Sequence, residues 1–118
     1  MRSAISLWAP VAGWMGLIFY LSSLSSLPSL PSGFPQEVAY IAAHMTEYAV
    51  LALLLHRALG RPGSRKRLAI ILLIAILYGL SDEVHQMFVP SRSSSLWDVA
   101  VDALGAGIAL GVLRAWFY

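Results

Sequence analysis

Four stretches of this chain are each long and apolar enough to cross a lipid bilayer, and the segments between them are short. A membrane-spanning helix needs about 20 mostly apolar residues. The first stretch, "ISLWAPVAGWMGLIFYLSSL" from Ile5 to Leu24, carries no charged side chain. The second, Val38 to Leu59, is apolar except for His44, Thr46, Glu47, His56 and Arg57. The third, Leu68 to Val89, opens with "LAIILLIAILYGL", and the fourth, Leu96 to Tyr118, contains Asp98, Asp102, Gly105, Gly107 and Gly111. The connections are a Ser- and Pro-rich segment (Ser22 to Glu37), a basic turn "GRPGSRKR" and the polar "PSRSSS". Ser95 is placed to cap the fourth helix, with Asp98 three residues on.

Composition agrees with that reading. Only 12% of the residues are charged and 58% are hydrophobic, whereas soluble domains carry about 25% charged residues. The expected architecture is all-α: a polytopic membrane protein of four transmembrane helices in a compact antiparallel bundle. It forms a single domain over residues 1–118, with helices near 5–24, 38–59, 68–89 and 96–118. Without cysteine there is no disulfide framework, thiolate nucleophile or Cys-based metal site. A net charge of +2 with the basic residues beside apolar runs excludes a nucleic-acid partner and leaves membrane lipids. Arg2 precedes the first stretch as it would a signal peptide, but the length of the run, with Pro10 and Trp14 inside it, favours a retained helix.

Charge sets the expected orientation. With four spans, Arg2, Arg57, Arg61, Arg65, Lys66, Arg67 and Arg114 fall on one side, seven of the eight basic residues, and Arg92 alone on the other. Lys and Arg in short loops stay cytoplasmic. Both termini are therefore expected inside a bacterial inner (plasma) membrane.

On that topology the acids gather at the outer end. Glu37 and Glu47 begin the second span, Asp82 and Glu83 end the third, and Asp98 and Asp102 begin the fourth. His44, His85, Gln86 and Arg92 join them. Ionisable groups within spans cost about 2.5–3.5 kcal/mol each on insertion scales, so they face the bundle interior and pair with one another. Asp82, His85 and Gln86 share a helical face by spacing, as do His44 with Glu47 and Asp98 with Asp102, whereas Glu83 points toward Met87 or another helix.

Three chemistries suit these groups. One is a structural hydrogen-bond network that holds the helices in register. Another is a divalent metal site, with His44, Glu47, Asp82 and His85 as candidate ligands. The third is acid–base or anion chemistry, in which Arg92 meets a phosphate and a nearby carboxylate or histidine acts as base. Asp82, Glu83, His85 and Arg92 are then the catalytic candidates, with His44, Glu47, Gln86, Asp98 and Asp102 binding a ligand. "SRSSSLWDVAVD" is similar to the S-R-x5-H-x3-D element of type-2 phosphatidic acid phosphatases, but Asp98 stands where their nucleophilic histidine would be, and that reading is rejected. Gly105, Gly107 and Gly111 are expected to allow close helix packing. His56 and Arg57 are expected to meet water or lipid phosphate, and the tryptophans to anchor or pack at the interfaces.

"AAHMTEYAVLALLLHRAL" followed by "YGLSDEVHQMFVPSRSSSLWDVAVDALGAGIAL" resembles the VanZ-like family of small bacterial membrane proteins. The resemblance marks His44, Glu47 and Tyr48, then Ser81, Asp82, Glu83, His85, Gln86, Pro90 and Arg92, then Asp98, Asp102 and Gly105; "FYLSS" (Phe19 to Ser23) fits as well. The chain departs from the family in lacking the Asp-Lys pair before the histidine, in Ser91 before the loop arginine, and in Asp102 where asparagine is frequent. The family takes its name from a protein linked to resistance to teicoplanin, a lipoglycopeptide acting at the outer membrane face. The resemblance thus implies a cell-envelope role. On this reading an outward-facing site binds or modifies an envelope lipid or a lipid-linked cell-wall precursor. The alternative is a non-enzymatic interaction or scaffold protein whose polar network is structural.

Overall fold

The computed structural model describes residues 3–23, 36–60, 65–89 and 96–117. They form four helices: α1 (Ala4–Ser23), α2 (Gln36–Leu59), α3 (Arg65–Gln86) and α4 (Leu96–Phe117). At about 1.5 Å per residue, helices of 20 to 24 residues match a hydrocarbon layer of about 30 Å. All four are long and apolar enough to cross a membrane.

Local chemistry sets the helix ends. Ser3 caps α1, its hydroxyl oxygen accepting from the Ser6 amide at 3.1 Å. Gly60, at φ 83°, closes α2 in the left-handed conformation that glycine adopts without penalty. The Arg67 guanidinium donates to the Leu59 carbonyl, one of the acceptors the helix end leaves open. At the other end of the bundle α3 stops at Gln86, three residues earlier than the apolar run suggests. Residues 87–89 tighten into a turn, with the Phe88 amide on the His85 carbonyl and the Val89 amide on the Gln86 carbonyl, both at 3.1 Å. Pro90 follows, and the residue before a proline avoids helical geometry. Arg65, Lys66 and Arg67, expected in the connecting turn, instead form the first turn of α3.

α2 and α3 lie centrally. α4 packs against both, most extensively against α2, while α1 packs against both from another side without touching α4. The core is Tyr48, Leu51, Ala52 and Leu55 of α2 with Ile18, Ile71, Ala75, Ala106 and Leu110. The glycines of α4 are not equivalent. A Cβ on Gly105 would lie 2.7 Å from Met45 Cα, so glycine alone permits this approach of α2 and α4. Gly107 and Gly111 meet nothing within 4 Å, which corrects the expectation that all three serve packing.

One further expectation is corrected near the basic end. His56 is buried rather than turned to water or lipid phosphate. Arg57 donates to the Ser6 carbonyl of α1 at 3.0 Å, because α1 passes within reach of that turn.

Candidate functional site

The end of α1, the start of α2, the end of α3 and the start of α4 meet at one end of the bundle, and the polar side chains collect there. On α2, His44 is 6% exposed and donates from Nδ1 to Oδ1 of Asp102 on α4 at 2.8 Å. An ionised carboxylate only accepts, so against it His44 carries a proton on Nδ1. Tyr40, one turn earlier, lays its ring 4.4 Å from the His44 ring and donates to Asp98 at 3.4 Å. Asp102 is fully buried and fits because Gly79 of α3 has no side chain: a Cβ there would stand 3.2 Å from Asp102 Oδ2.

A second group forms where α3 meets α1. His85 stacks on Phe19 with ring centroids 4.0 Å apart and planes 12° from parallel, and its Nε2 lies 3.2 Å from Ser23 Oγ. Ser23 gives its own proton to the Phe19 carbonyl at 2.8 Å. With a single hydroxyl hydrogen so committed, Ser23 accepts from His85. His85 Nδ1 is 3.8 Å from Asp82 Oδ1, too long for a hydrogen bond but close enough for charge to matter.

Between the two groups lies a cavity of about 30 Å³. Ser22 of α1, Tyr40, His44 and Glu47 of α2, and Asp82 and Gln86 of α3 supply its polar walls. Gln86 is 1% exposed, yet neither of its amide atoms has a hydrogen-bond partner, nor does Asp82 Oδ1. Buried polar atoms are costly unless paired. On the same measure a water needs about 10–15 Å³, so there is room for one or two water-sized groups to satisfy them.

The helical spacing therefore brings Asp82 and Gln86 together with His44 and Glu47 at the cavity, and Asp98 and Asp102 behind Tyr40 and His44. His85 turns instead to α1, and Glu83 is buried in the bundle although it does not share the face of Asp82 and Gln86. Arg92, Ser95 and the rest of 90–95 lie outside the described residues. Among the described residues no three histidine or carboxylate groups converge as metal ligands. His44 is engaged with Asp102 and His85 with α1, so these two and their acids form separate pairs.

The contribution of α1 is what spacing within the acidic segments missed. Ser22, Ser23 and Phe19 complete the site; the signals for them were the resemblance of "FYLSS" to the family and a Ser-Ser pair ending an otherwise apolar span at the depth of the acids. Two further bonds hold α1 in place: Trp14 Nε1 donates to the Glu47 carbonyl at 2.8 Å, and the Tyr78 hydroxyl donates to the Met15 carbonyl.

Four span-length apolar helices with buried histidine–carboxylate pairs near one end define a multi-pass α-helical membrane protein. The VanZ/LLP1 family model matches residues 7–117, and the chain belongs to that family. No curated protein and no solved structure matches the chain at a significant level.

Proposed function

We propose that this protein holds the headgroup of an envelope lipid, or of a lipid-linked cell-wall precursor, at the extracytoplasmic face of a bacterial inner membrane. The observation that carries the reading is the cavity itself: a pocket at one end of an apolar bundle, in whose wall buried atoms of Gln86 and Asp82 lack partners. Seven of eight basic residues fall toward the opposite end in sequence, which supports cytoplasmic termini and an outward cavity. Asp82, Gln86, His44 and Glu47 would contact the headgroup, and Asp98 and Asp102 would hold Tyr40 and His44 in position. His85 braces the α1 wall and Glu83 supports α3 from within the bundle. Arg92, next to this end in sequence, would meet the headgroup phosphate. A contribution to teicoplanin resistance follows if the bound molecule is one that the drug also engages.

The test pairs lipid retention with drug susceptibility. Gln86→Leu and Arg92→Ala should each reduce the lipid that co-purifies with the protein and change glycopeptide susceptibility, while thermal unfolding in detergent stays near wild type. Unchanged retention and susceptibility in both folded variants would end this reading. A scaffold role is favoured by the Trp14 and Tyr78 bonds, which tie helices together without touching a ligand. It predicts that site substitutions lower only thermal stability.

A further inference from the structure

The cavity walls specify a charge and a size for what they hold. Glu47 and Asp82 line the cavity; Asp98 and Asp102 stand directly behind Tyr40 and His44. None of the described lining residues is lysine or arginine. Carboxylates gathered within a span need a compensating charge or proton. His44 answers Asp102, and His85 approaches Asp82 Oδ1 only to 3.8 Å without a hydrogen bond. Asp82 Oδ1 and both amide atoms of Gln86 are thus buried without a hydrogen-bond partner, as is the Ser22 hydroxyl on the facing α1 wall. Two carboxylates and no lysine or arginine around about 30 Å³ match a small cationic group with several N–H donors, with the Gln86 amide and the Ser22 hydroxyl free to bond beside it.

Resting on the headgroup reading above, we propose that the cavity takes a primary ammonium, the group a phosphoethanolamine headgroup carries beside its phosphate, and rejects a trimethylammonium. A primary ammonium is water-sized and brings three donors. Three methyl groups on the nitrogen would remove every donor. Depth agrees, since Gln86 is the last residue of α3 and Asp82 lies one turn deeper, about 6 Å along the axis. An ammonium reaching the cavity therefore leaves its phosphate at the bundle end.

The experiment is native mass spectrometry of the full chain released from nanodiscs of equal parts phosphatidylethanolamine, phosphatidylcholine and phosphatidylglycerol. Wild type should retain the ethanolamine lipid over the choline lipid by roughly tenfold or more, the range set by a charge-assisted hydrogen bond. Asp82→Asn should bring that ratio close to one. Should Asp82→Asn fail to fold, competition on wild type decides: methylammonium should displace the ethanolamine lipid and tetramethylammonium should not. Glycerophosphoethanolamine binding as tightly as the whole lipid would support the site but assign it a soluble amine. Equal or greater retention of the glycerol or choline lipid would overturn the ammonium site while leaving the headgroup reading standing. No retention of any of the three lipids would overturn the ammonium site and the phospholipid form of the headgroup reading.

Discussion

The two ends of this bundle are built on different principles. At the basic end the long cations reach from one helix to the backbone of another, Arg67 of α3 to the Leu59 carbonyl of α2 and Arg57 of α2 to the Ser6 carbonyl of α1. At the acidic end short side chains act across helices, with His44 to Asp102, Tyr40 to Asp98 and His85 to Ser23, each joining residues at least 58 positions apart. A flexible arginine that finds a carbonyl tolerates changes around it. A buried imidazole that must meet one carboxylate fixes the position of two helices. The acidic end therefore carries the register, and the contrast can be attacked experimentally.

The largest effect should come where the close approach that serves the acidic end is blocked. Gly105→Val meets the Met45 backbone, which cannot move aside, and should destabilise the bundle by about 4 kcal/mol or more in detergent unfolding. Next, Asp102→Ala leaves His44 buried without its partner and should cost about 2–3 kcal/mol, between the buried-pair range and the weaker membrane one. Asp102→Asn keeps an acceptor for His44 Nδ1 and should cost under about 1 kcal/mol; equal losses for both would show that the pair does not set the register. Trp14→Phe removes one bond across α1 and α2 and should cost about 1 kcal/mol, with the loosening read as faster hydrogen exchange in α1. Smallest of all, Arg114→Gln and Gly107→Ala, both away from these contacts, should stay within about 0.5 kcal/mol. A large loss at Arg114 would contradict the asymmetry between the ends.

Much of this was legible in the residues. Uninterrupted apolar runs dictated the four helices, because span length and hydropathy leave little choice in lipid. The shared faces of Asp82 with Gln86 and of His44 with Glu47 followed from helical spacing, and all four line the cavity. Spacing describes one helix at a time, so it could not say which neighbour a face meets. It put His85 beside Asp82, where the two lie 3.8 Å apart, but gave no sign that the ring also stacks on Phe19. It treated Gly105, Gly107 and Gly111 alike, although only the first faces Met45. It turned Glu83 off the common face, and the side chain is buried all the same, since α3 is covered on more than one side.

The pairing of α2 with α4, rather than with a helix next to it in sequence, has a consequence for biogenesis. His44 is made 58 residues before the Asp102 that receives its proton. At ribosomal speeds of about 5–20 residues per second, that gap lasts roughly 3–12 s. Through that interval α2 has α1 and then α3 beside its polar face, but not the carboxylate that His44 meets in the finished bundle. Its imidazole must be sheltered by water at the bilayer surface or by the insertion machinery until α4 arrives.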